Sequence, residues 1–145
     1  MTTTAPVADA RALGLAHYAA RSVLEHFLAR RGLTFQHQIA LRAAIADVPR
    51  TPDDVVTQVQ DSLKADPADI RTALDELLAR QLLVTDGTHV RPTDAAHELL
   101  ATVGAEVAPS SARIWQGIPA EDLAAAGRVL ALVTERANAE LAALR

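Results

Sequence analysis

The strongest constraint on this chain is the punctuation between Thr51 and Asp94. Thr51-Pro52-Asp53-Asp54 is a helix start: a capping threonine, a proline at the first position where its missing N–H is no loss, and acids in the first turn. Val55, Val56, Val59 and Leu63 then give the helix one apolar face. Asp66-Pro67 repeats the start signal, and Ile70, Leu74, Leu77 and Leu78 form the next apolar face before a stop near Gln81. Leu82–Thr85 and Thr88–Arg91 flank Asp86-Gly87, a pair suited to a two-residue type I′ hairpin. Thr93 caps a further helix.

Helix, helix, tight hairpin, helix is the outline of a winged helix-turn-helix, a module that sets its second helix in a DNA major groove. The charge runs against that outline. From Thr51 to Pro92 there are Asp53, Asp54, Asp61, Asp66, Asp69, Asp75, Glu76 and Asp86 against Lys64, Arg71, Arg80 and Arg91. The excess of acids over bases there equals the net charge of the whole chain, −4.

The flanking segments are helical too. From Asp9 to Arg31, Leu13, Ala16, Ala20, Val23, Leu24 and Phe27 recur at steps of three and four, and Gly32 supplies a stop. Thr34 caps a second helix through Ile39, Leu41 and Ile45 to about Asp47, with Pro49 closing it. After the hairpin a helix runs through Leu99, Leu100 and Val103, until Gly104, Pro109 and Ser110-Ser111 are expected to loosen or kink it. The last helix opens at Pro119-Ala120-Glu121 and carries Leu123, Ala126, Leu130, Val133, Ala137 and Leu144 along one stripe. A stripe that long on a terminal helix calls for a partner helix, which predicts a helical homodimer.

A length of 145 residues suits one domain with a real core. Half the residues are hydrophobic, yet there are only one Trp, one Tyr and two Phe, so the core is one of small aliphatic side chains packed between helices. Without cysteine, the chain has no disulfide, thiolate redox or Cys-based zinc chemistry. No apolar run approaches the roughly 20 residues that span a bilayer, so no membrane partner is expected. Residues 1–9 lack the features of a secretory signal and read as a disordered tail, which leaves the cytoplasm as the expected location.

The order of elements resembles the MarR family of dimeric bacterial transcription regulators. Leu33-Thr34-Phe35-Gln36 opens the second helix in the family's manner, and Thr93-Asp94-Ala95-Ala96 stands where the family has Leu-Thr-x-x-Gly. Gly117-Ile118-Pro119-Ala120-Glu121-Asp122-Leu123 enters the last helix as Gly-Leu-Ser-x-Glu-Glu-Leu does. The similarity runs from about Ala10 to Leu144. It implies a mainly α fold with a small β-hairpin wing and a single MarR-like domain over 10–145. In that scheme 10–32 and 93–145 are interlocked dimerisation helices and 33–92 is the winged lobe. It also implies a palindromic operator with half-sites about one helical turn apart, and a small-molecule pocket between dimer helices and lobe.

The chain departs from the family at two places. Its wing is short, with Asp86 and no arginine at the tip, whereas family wings carry an Asp-x-Arg pattern; His89 and Arg91 lie on the returning strand instead. The recognition helix, Pro67–Arg80, exposes Ala68, Asp69, Arg71, Thr72 and Asp75, a single arginine among acids. Arg71 is the candidate for base contact, because its fork matches guanine O6 and N7. The alternative is a surface ion pair with Asp75 at i+4. Thr72 suits a phosphate or a thymine methyl, and Lys64, Arg42, Arg50, His89 and Arg91 are candidate contacts to the duplex.

On the first helix His17 and Arg21 share a face, with Tyr18 beside them. With His37 on the second helix they form a candidate pocket for an anionic aromatic effector, the arginine forking onto a carboxylate, and Trp115 would be a wall. The alternative places these residues in the dimer interface. His17, His26, His37, His89 and His97 are too scattered for a metal site, and nothing calls for a cofactor. No phosphate-binding glycine loop, nucleophile elbow or His-Glu-x-x-His is present, so no enzyme activity is expected. The expected function is a ligand-responsive repressor. The alternative is a homodimer of the same fold with weak or lost DNA binding, serving as a small-molecule or protein-interaction module.

Overall fold

Asp9 begins the ordered architecture by accepting the Ala12 backbone N–H at 2.8 Å, which caps α1 (Ala10–Ala29). The computed structural model describes residues 5–145; of the expected tail, residues 1–4 lie outside that range and 5–9 are exposed without helix or strand. The elements that follow are α2 (Phe35–Ala44), α3 (Pro52–Leu63), α4 (Pro67–Ala79), β1 (Leu83–Asp86), β2 (His89–Pro92), α5 (Asp94–Trp115) and α6 (Ala120–Leu144). The mainly α fold with one antiparallel hairpin is therefore as expected.

The helix starts sit where the capping residues put them. Thr34, Thr51 and Asp66 each accept a backbone N–H of the first turn, and Thr93 accepts from Ala96 at 3.2 Å. Between α3 and α4 the chain turns through Lys64 in the left-handed region (φ +58°), which frees Asp66 to cap the next helix.

The chain divides into two compact units, the first ending at Ser110 and the second running from Ser111 to Arg145. In the first, α2, α3 and α4 surround a core of Leu41, Val55, Val59, Ile70, Leu74 and Leu77. Leu28 and Leu33 close it from the end of α1, Leu83 and Val90 from the hairpin, and Leu100 and Val103 from α5. The second unit holds α6, in which no residue is buried. Leu123, Val129, Leu130, Leu132 and Val133 of that helix are exposed.

One expectation needs correcting. The hairpin is shifted by one residue: Asp86 pairs with His89, so the two turn residues are Gly87 and Thr88 rather than Asp86 and Gly87. Among the turn residues only Gly87 has positive φ, which matches the glycine-first type II′ pattern and not type I′. Helix α5 continues through Gly104, Pro109 and Ser110-Ser111 to Trp115. Pro109 deprives Ala105 of its i+4 donor, but both residues lie on an exposed face where water can serve that carbonyl.

Candidate nucleic-acid interface

The winged unit buries one side of α4 and offers the other. Ile70, Ala73, Leu74 and Leu77 face the core, while Asp69, Arg71, Thr72, Asp75 and Glu76 are exposed. Arg71 does not pair with Asp75 one turn on. Its Nη2 donates instead to Asp53 Oδ1 in the first turn of α3, at 2.8 Å. Thr72 turns its hydroxyl back to the Ala68 carbonyl at 3.0 Å. Lys64 donates its ammonium to the Asp61 carbonyl of its own helix end.

On the wing, Arg91 lies exposed on β2 with Nε 3.9 Å from Asp86 Oδ2. His89 is half-buried, its Nδ1 3.3 Å from the Thr88 hydroxyl. Arg50 adds a third, one-residue bridge to the hairpin: Val90 donates its N–H to the Arg50 carbonyl at 2.8 Å. The Arg50 side chain borders a shallow groove of about 570 Å³ with Asp54, Thr57, Gln58, Asp61 and Ser62. Asp54 closes a capping box with Thr51, whose backbone N–H and hydroxyl hold its carboxyl below the usual range.

Arg71, Lys64 and Arg91 thus already lie against carboxylates or a carbonyl of the same unit, while Arg50 Nε is buried without a hydrogen-bond partner among the described residues. Arg80, beyond the end of α4, is spent structurally: it donates to the carbonyls of Gly32 at 2.7 Å and Arg31 at 3.0 Å, tying the end of α4 to the turn after α1.

The candidate effector residues separate into different environments. His17 meets Tyr18 edge-on, with ring centroids 6.1 Å apart, and both are exposed. Arg21 forms an ion pair with Glu25 and stacks its guanidinium 4.2 Å over the Phe35 ring. His37 is buried in the winged lobe as a capping-box residue, its Nδ1 accepting the Thr34 N–H at 3.0 Å. No hydrogen bond or ring contact among the described residues joins His17, Arg21 and His37. Trp115 is exposed at the end of α5 in the second unit. An apolar recess of about 360 Å³ lies elsewhere on α1, lined by Ser22, Val23, His26, Phe27 and Ser110.

No family model and no curated protein sequence matches the chain. Solved structures do match. A MarR-family transcriptional regulator of Rhodococcus sp. RHA1 superposes with a TM-score of 0.66 at 20% identity, covering 84% of this chain and 90% of that one. The fold is that of the MarR-type winged helix proteins. Further MarR-type matches carry ligands. The Mycobacterium tuberculosis MarR-family protein Rv2887 in complex with DNA matches at TM-score 0.65 and 18% identity over 88% of this chain and 98% of that one. CouR of Rhodococcus jostii RHA1, bound to p-coumaroyl-CoA, matches at TM-score 0.69 and 20% identity over 84% and 88%.

Among the described residues no helix is long and apolar enough to cross a membrane, and no group of three or more His, Cys, Asp or Glu is placed to hold a metal ion. Sequence reasoning missed Asp53, Glu76 and Arg80 as partners of Arg71, His37 and the Gly32 turn. Their contacts span 18, 39 and 48 residues, so no local spacing announces them.

Proposed function

We propose that this chain is a homodimeric, ligand-responsive transcription regulator that represses from a palindromic operator. The observation that supports it is the exposed face of α4, held by α2, α3 and the wing as the reading helix of a MarR-type fold, with Arg71 as its one basic side chain. Arg71 and Thr72 would contact bases and adjoining phosphates, and Lys64, His89 and Arg91 would contact the backbone. The DNA-bound Rv2887 structure supports the same use of the fold.

Residues 10–145 would act as one MarR-like domain, with 33–92 as the reading lobe and 10–32 and 93–145 as dimer helices. A 25-residue helix with no buried residue, as α6 is, supports that assignment: its stability would come from packing an apolar face. The effector would be an anionic aromatic molecule, consistent with the aromatic acyl group on CouR. Arg21 would receive its carboxylate, with His17 and Tyr18 bordering the site. Ligand and DNA would oppose each other by one common factor. The chain would work as a binding protein in the cytoplasm, not as an enzyme; Asp9, Asp54 and Asp66 already serve as helix caps.

The acidic balance of α3 and α4 favours a second reading, a dimer of this fold with little affinity for DNA that binds small molecules or proteins. Selection from a random duplex pool separates the two. A regulator enriches an inverted repeat with half-sites about one helical turn apart. A pool with no enriched motif sinks the first reading.

A further inference from the structure

We propose that Asp53 is a positioning residue for base readout: through Arg71 Nη2 it holds the guanidinium in the orientation that presents its remaining donors to a guanine edge. The inference rests on the DNA-binding reading above and concerns how one arginine among acids would discriminate bases. The pair joins two helices, from the first turn of α3 to the exposed face of α4, at 2.8 Å.

Stability gives this pair little purpose. The side chains are 54% and 79% exposed, and ion pairs that exposed are weak because water screens them. What the pair does fix is direction. An unpaired arginine samples many rotamers, so ordering it at the moment of binding is costly. Guanidinium carries five N–H donors in a planar fork, and Asp53 takes one of the two on Nη2. Arg71 makes no other hydrogen bond or ion pair among the described residues, so the second N–H of Nη2 and the N–H beside it, on Nη1 or Nε, remain as a parallel pair for guanine O6 and N7.

The charge follows the same logic. A free Arg71 would be drawn to any phosphate, whatever the sequence. Beside Asp53 its net charge is cancelled, which weakens that indiscriminate attraction, while the fork keeps its hydrogen-bonding pattern. The pair thereby exchanges non-specific affinity for discrimination. Asp53 itself is suited to its place, since a carboxylate in the first turn of a helix is favoured by the macrodipole.

The test uses the full-length dimer and the duplex that the wild type enriches from a random pool. Wild type, D53N and R71A are titrated against that duplex, against versions with each G·C pair replaced in turn, and against a scrambled duplex. D53N is exposed and isosteric, and its circular dichroism melt should match the wild type. Wild type should lose about 5- to 150-fold at one guanine position, the range of a bidentate contact, and R71A should erase that loss and so identify the position. D53N should reduce the loss to less than about threefold there, while binding scrambled DNA more tightly. A D53N protein that keeps the full guanine penalty, whether or not its overall affinity rises, overturns the inference and leaves the DNA reading intact. A wild type that does not prefer its enriched duplex over scrambled DNA overturns both.

Discussion

His37 Nε2 lies 2.7 Å from Glu76 Oε2, so one buried imidazole links the N-terminus of α2 to the outer face of α4. The other ring nitrogen, Nδ1, accepts the Thr34 N–H. That assignment fixes the neutral tautomer, with its proton on Nε2 and donated to the carboxylate. A capping box is usually closed by Glu or Gln; here histidine closes it and reaches a second helix as well.

Replacing His37 should therefore loosen α4 on α2. H37A is expected to cost about 1–3 kcal/mol in urea unfolding, from the lost cap bond, the contact to Glu76 and buried ring volume. H37Q should recover part of this, because glutamine closes capping boxes. A loss under about 0.5 kcal/mol for H37A would contradict the linking role.

Arg80 clamps the Gly32 turn, where the backbone takes φ +69°, through two carbonyls. R80A should destabilise by about 1–2 kcal/mol, a value limited by the exposure of the guanidinium. R80K should not restore it, since an ammonium cannot span both carbonyls as a planar fork does. Thermal melts of the three proteins, compared by midpoint, check this.

Glu106 on α5 is held below the usual carboxylate range, first by its hydrogen bond from Arg31 and then by the charges of Arg31 and Arg30. A depressed folded-state pKa stabilises above the ordinary carboxylate value and loses that contribution as pH falls through the folded value. Asp54 carries the same sign through its Thr51 bonds. E106Q should thus melt below the wild type at neutral pH, with the gap narrowing as pH falls below the ordinary carboxylate range and through the lowered folded value. A gap that persists unchanged in acid would contradict the ion-pair origin.

Local and long-range features differ in how far the sequence revealed them. Thr34, Thr51, Asp66 and Thr93 were legible as caps because capping is decided within three residues. The hairpin was legible in kind but not in register, since either frame around Gly87 places a glycine at a positive-φ position of the turn. Pro109 marks a missing helix donor but not a helix end, because the carbonyl it orphans faces water. The surroundings of Arg71 were the least legible. An i+4 acid at Asp75 offered an obvious partner, and only the packing of α3 on α4 brings Asp53 closer.

The exposed stripe of α6 predicts assembly. Light scattering on the purified chain should give twice the chain mass, and L130E, placing a charge on that stripe, should shift it toward monomer. A monomeric wild type would remove the homodimer from the proposal.

The central claim is that this acidic winged helix unit still reads DNA. The most direct measurement is a fluorescence titration of the wild-type protein with its enriched duplex and a scrambled one at about 50 and 200 mM salt. The account predicts nanomolar binding to the enriched duplex, weakening with salt, and a preference of at least about a thousandfold over scrambled DNA. Weak binding, equal for both duplexes, would contradict it.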